Sequence, residues 1–187
     1  MEKLIPRILG LLKLDNRYME EVMADKNATG TGFAILAVPV VSLFLVEMLY
    51  LGEYFKFAGI GGHLFVLLRV IFFVWAMNFI ANNYFEGKGD MFKSFRAIAY
   101  SQILYWIPVI LIVLTMLLGI DLSFWSIWAY RLAIIWGLVV AYKVFQIEYR
   151  LKEQDAIVCL VITIVASYIF QFIFSKIFFS SFSMRYM

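Results

Sequence analysis

The chain has 187 residues, 64% of them hydrophobic, with a mean hydropathy of +0.89 and a net charge of only +3. A soluble domain sits nearer half apolar, so this excess must be buried against something other than its own core. The single cysteine, Cys159, leaves no intramolecular disulfide, and with one histidine, His63, a transition-metal site is not expected.

The apolar residues come in long blocks without strand-like alternation. In lipid, only a helix or a closed barrel satisfies its own backbone, and one crossing takes roughly 20 helical residues. The pattern therefore predicts an all-α fold, an integral membrane bundle of five transmembrane helices with a short N-terminal amphipathic helix. The expected organisation is a cytoplasmic N-terminal segment over 1–31, a five-helix membrane domain over 32–175 and a short extracytoplasmic tail over 176–187. No cleavable signal is expected, since the first apolar stretch is interrupted by charge and lacks a small-residue cleavage site.

In chain order, Leu4, Ile5, Ile8, Leu11 and Leu12 repeat at helical spacing, with Lys3, Arg7 and Lys13 interleaved. Two readings of this helix stand equally. It lies in the membrane interface with its cations near anionic head groups, or it packs on the bundle. Asn27 to Gly32 is a helix-start signal. The five spans are then read over 32–51, 63–85, 97–120, 122–142 and 156–175. Pro39 falls in the first and Pro108 in the third, and the second and third are joined by a Gly87-Lys88-Gly89 loop.

Cations set the orientation, because lysine and arginine favour the cytoplasmic side of short loops. The N-terminal segment (Lys3, Arg7, Lys13, Arg17, Lys26) and two loops (Lys88, Lys93, Arg96; Lys143, Arg150, Lys152) hold eleven, against three (Lys56, Lys176, Arg185) on the other side. The N-terminus is expected in the cytoplasm and the C-terminus outside. Phe124, Trp125, Trp128 and Tyr130 form an aromatic belt at the outer end of the fourth span.

Residues 84–108 read YFEGKGDMFKSFRAIAYSQILYWIP. The Gly87-Lys88-Gly89 loop, Phe92, the Ala99-Tyr100 pair and Pro108 resemble the central signature of the Yip1 family. Glu86 stands where that family often has the first of paired glycines. The resemblance implies five spans, a cytoplasmic N-terminus and an interaction or membrane-organising role. The long cytosolic N-terminal segment of eukaryotic members has no counterpart here, so the likeness is to the short prokaryotic form, in the cell membrane, rather than to a Rab-GTPase-binding protein.

No catalytic constellation emerges. A serine nucleophile lacks a histidine base, and the Gly-Lys-Gly loop lacks the hydroxyl residue and spacing of a phosphate-binding loop. The chain reads as a non-enzyme without cofactor, metal or nucleic-acid partner. Its expected partners are the bilayer, anionic lipids at the cytoplasmic face, and a protein on the cytoplasmic loops, with Gly87, Lys88, Gly89, Lys93 and Arg96 as the candidate surface. Asn78, Asn82 and Asn83 are expected to bond across helices or to cap a helix end.

Three charges lie within spans: Glu47, Arg69 and Arg131. A charge in hydrocarbon is costly and marks a paired or functional site. Their depths place Glu47 nearest Arg69 as an ion pair, with Arg131 in support or snorkelling among Trp125 and Trp128. The alternative function is a small transporter or channel, with these charges and the helix breaks at Pro39 and Pro108 lining its path.

Overall fold

A computed structural model describes residues 4–51 and 58–183, without the side chains of 47, 50, 51, 58–64, 66 and 177–183. Among the described residues there are eight α-helices and no strand: α1 (Leu4–Leu12), α2 (Asn16–Ala24), α3 (Ala28–Leu51), α4 (Ala58–Tyr84), α5 (Met91–Ser101), α6 (Trp106–Leu118), α7 (Ser123–Ile147) and α8 (Glu153–Ser183). A 3₁₀ turn, Gln102–Tyr105, joins α5 to α6. Five helical stretches are long and apolar enough to cross a membrane, α5 and α6 together making the third.

The spans close into a ring, each touching the next in the order α3, α4, α8, α7, α6 and back to α3. The outward faces are apolar and exposed, as with Leu49, Trp125, Leu132, Ile157 and Phe172. A soluble protein does not leave so continuous a surface bare, and a bilayer covers it. The chain is a multi-pass integral membrane protein.

Inside the ring, at the end carrying the N-terminus, sits α5. It contacts α1, α2, α3, α4 and α7, and every residue from Ser94 to Ser101 is buried. Most of the core is gathered around it, with Met77, Ala81, Val140, Val144 and Phe145 fully enclosed. The third span was expected to begin at 97, but its helix begins at Met91, where Asp90 caps it by accepting from the Lys93 amide at 2.9 Å. Lys93 and Arg96 look like loop charges in sequence and are helical because α5 enters a protein interior rather than lipid.

Both prolines within the spans leave a carbonyl without its helical donor. Pro39 cannot donate to Ile35 O, and the Trp106 indole Nε1–H of α6 donates there instead at 3.0 Å. Pro108 cannot donate to Leu104 O, which lies in the 3₁₀ turn. Its own carbonyl accepts from Ser126 Oγ of α7 at 3.2 Å. In a membrane a carbonyl abandoned by its helix costs several kcal/mol by order of magnitude, so at Ile35 the break becomes a fastening point between spans.

Candidate interaction face

At the N-terminal end, the loop between α4 and α5 is held from three directions. Asn82, in the last turn of α4, accepts from the Gly89 amide at 3.1 Å and donates to the Gly89 carbonyl at 3.0 Å. The Gly87 amide donates to Ala81 O at 2.9 Å. The Asp90 amide donates to Glu148 Oε1 at 2.9 Å, and Lys93 Nζ lies 3.3 Å from that oxygen. Glu148 belongs to the segment between α7 and α8, so a loop near residue 90 is anchored nearly 60 residues away.

Tyr149 is the hinge pin of this arrangement. It is 2% exposed, and its phenol accepts from Ser94 Oγ at 2.9 Å and donates to Asn78 Oδ1 at 3.3 Å. Burial pushes the phenol well above its ordinary pKa, with the nearby Glu148 and Asp90 charges acting the same way, so it stays a neutral donor. Gly89 follows from its ring and Gly87 from the end of α4. A Cβ on Gly89 would fall 2.4 Å from Tyr149 Cδ1, and one on Gly87 would fall 2.9 Å from Ala81 O. Glu86 adopts φ +56°, the left-handed region that a side chain enters at a cost.

α1 and α2 complete this end. Leu14 turns the chain at φ +55° and Asp15 caps α2. Arg7 then reaches across to α2, with Nη2 3.0 Å from Glu21 Oε1 and Nη1 2.8 Å from Asp25 Oδ2. The Asn27 amide, 2.9 Å from Asp25 Oδ1, and then Arg7 hold the Asp25 carboxyl below the usual carboxylate range. Leu11 is buried against the core while Ile5 and Leu9 remain exposed.

The sequence-derived surface residues thus divide. Gly87 and Arg96 are buried, Gly89 is half-buried beneath Tyr149, and Lys93 is paired with Glu148. Arg96 donates from Nε to Phe92 O at 3.0 Å, and its Nη1 has no partner among the described residues. Lys88 stands exposed. It lines a polar recess of about 720 Å³ with Arg150 and Lys152, also exposed, and with Glu86 and Asp155. Of the asparagines, Asn78 and Asn82 bond to each other and across the loop, and Asn83 donates to Phe79 O. Tyr149 and Glu148 escaped the sequence reading as site residues. The only signal was a tyrosine set among the charges of a short loop.

Within the spans, Arg69 lines a cavity of about 280 Å³ that also meets Pro39 and Pro108. Arg131 is not on that wall. It is exposed on α7, its guanidinium 5.2 Å from the ring centroid of Trp128. The side chains of Glu47 and His63 lie outside the described residues. No group of three or more His, Cys, Asp or Glu side chains placed to hold a metal occurs among the described residues.

The family model for the Yip1 domain matches residues 9–174. No curated protein and no solved structure matches the chain.

Proposed function

We propose, from the premise that this chain belongs to the Yip1 domain family, that it is a non-enzymatic membrane-organising protein working through contacts at its N-terminal end. That end faces the cytoplasm in this reading, because eleven of the loop and tail cations lie there against three at the other end. The C-terminus is then extracytoplasmic.

The observation that carries the reading is the recess beside the Gly87–Asp90 loop. Hydrogen bonds from α4 and from Glu148 hold the loop still, while Lys88 of the loop and Arg150 and Lys152 of the α7–α8 segment stand exposed around the recess. A fixed frame with free cations recognises an acidic segment of a partner protein at little ordering cost. Anionic lipids of the same leaflet meet the exposed Lys13, Arg17 and Lys26 around it.

The test has two parts. A reporter fused after Met187 is active only outside the cytoplasm, and one inserted at Lys88 only inside. A photo-reactive residue at position 88 then crosslinks a defined protein, and Arg150→Gln with Lys152→Gln abolishes the adduct. The same probe at Ile120, at the other end, gives none. A cytoplasmic C-terminus, or adducts of equal yield from both ends, contradicts the proposal.

A second reading, a small transporter, draws on the cavity that Arg69, Pro39 and Pro108 share. Against it stands α5, which fills the ring beneath that cavity. Ion-coupled uptake by the purified protein in liposomes would favour transport over the first reading.

A further inference from the structure

The half of the bundle away from the N-terminus is not filled as the other half is. There the ring surrounds the half-open cavity of about 280 Å³, bounded by α3, α4, α6 and α7, with Ile98 of α5 and Gln102 of the 3₁₀ turn forming part of its wall. The remaining wall is almost wholly apolar. Its polar groups are few: the Arg69 guanidinium, the Gln102 amide, and the phenols of Tyr105 and Tyr130. The two tyrosine rings meet edge to face with centroids 5.5 Å apart, and Arg69 lines the same space. One cation and two phenols are therefore gathered at a single greasy space.

A guanidinium there needs an anion. Leaving it unpaired among apolar side chains costs several kcal/mol by order of magnitude, and no carboxylate pairs with Arg69 among the described residues, which leave out the side chain of Glu47. Depth narrows the choice. α4 has 27 residues, about 40 Å, which exceeds a hydrocarbon core of about 30 Å. Arg69 is the twelfth of them, so its Cα sits about 16 Å from the helix start. That is below the membrane surface, but within reach of it for an extended arginine. A small inorganic anion would leave the apolar wall empty, while a neutral lipid would leave the guanidinium unmatched. The volume lies at the lower end of ligand pockets, enough for part of one hydrocarbon chain and too little for two.

The geometry points to a bound anionic phospholipid, drawn from the leaflet opposite the N-terminus, with one acyl chain in the cavity and its phosphate on Arg69, Tyr105 and Tyr130. Arg69 supplies a forked donor suited to phosphate, and the phenols add hydrogen bonds. Gly137 of α7 keeps the space open. A Cβ there meets only Gln102 Nε2 at 3.4 Å, so a larger side chain would project into the lipid's place.

The test is native mass spectrometry of the full chain released from nanodiscs holding equimolar phosphatidylglycerol and phosphatidylcholine. The expected result is one tightly held phosphatidylglycerol, in about tenfold excess over phosphatidylcholine, as one charge-assisted contact supplies. Arg69→Gln brings the two lipids to parity, Arg69→Lys retains most of the excess, and Gly137→Leu loses both lipids from a monodisperse protein. Should Arg69→Gln fail to fold, Tyr105→Phe carries the test through a reduced excess. The variant Lys88→Gln with Lys152→Gln keeps the bound lipid. Equal retention of both lipids by the wild type, or an excess that survives Arg69→Gln or vanishes with the lysines, overturns the assignment.

Discussion

The two ends of this bundle are built on different principles. At the N-terminal end, a helix has been drawn inside the ring of spans, and its approach loop is fixed by Asn82, Tyr149 and Glu148. At the other end the ring surrounds a half-open cavity, and the connection between α6 and α7 is a turn held by its own atoms. There Gly119 closes α6 at φ +68°, the Leu122 amide donates to Thr115 Oγ1, and Asp121 accepts from Ser123. Both connections are short and both carry glycine. Glycine at Gly89 permits close packing, whereas at Gly119 it permits a left-handed turn in open space. The motif glycines are thus structural parts, and the adjacent Lys88 is the part left free.

The largest effect that can break this contrast is at Gly89. Gly89→Ala drives a methyl into the Tyr149 ring and should cost about 2–3 kcal/mol in detergent stability, as overpacking does. Gly30→Ala, where a Cβ meets nothing within 4 Å, should be neutral or slightly stabilising. Equal losses would mean that the loop is not held against Tyr149. Next is the boundary between the two halves. Trp106→Phe strands the Ile35 carbonyl that Pro39 released and should lower stability by about 1–3 kcal/mol, read by thermal unfolding. An unaffected melting temperature would show that the carbonyl finds another donor.

Arg7→Gln removes the tie between α1 and α2. Its carboxylate partners are partly solvated, so the loss should be about 1–2 kcal/mol. Acid probes the same contact. The Asp25 pKa is lowered by folding, so its contribution is complete above its unfolded value, near 4, and disappears as pH falls through the lower folded value. Stability measured from pH 6 to pH 3 should fall in the wild type and fall less in Arg7→Gln; parallel profiles would remove Arg7 from the account. The smallest effect is a gain. Glu86→Gly relieves a side chain at φ +56° and should stabilise by about 1 kcal/mol, where a loss would mean the carboxylate makes an essential contact.

Much of the fold was legible, because long apolar runs have one common solution in lipid. The start of the third span was not. Lys93 and Arg96 read as loop charges, and only the ring around α5 explains a buried arginine in a membrane helix. Arg7 illustrates the same limit. Its spacing suits a cation near anionic head groups, but the turn at Leu14 brings Glu21 and Asp25 beneath it. The glycine motif could be seen as a motif without revealing its cause, since Tyr149 lies 60 residues beyond Gly89. Pro39 and Pro108 read as breaks along a path, and the Trp106 indole that recaptures the Ile35 carbonyl comes from another span.

The central claim is that the Gly87–Asp90 loop is part of the packed structure while the α6–α7 turn is not. Hydrogen exchange in nanodiscs tests it directly. The amides of Gly87, Gly89 and Asp90 donate to Ala81 O, Asn82 Oδ1 and Glu148 Oε1, the last far off in the chain, whereas those of Gly119, Leu122 and Ser123 donate only within an exposed turn. Peptides covering 86–90 should therefore exchange at least about tenfold more slowly than those covering 119–123. Exchange at 86–90 as fast as at 119–123 would contradict the account.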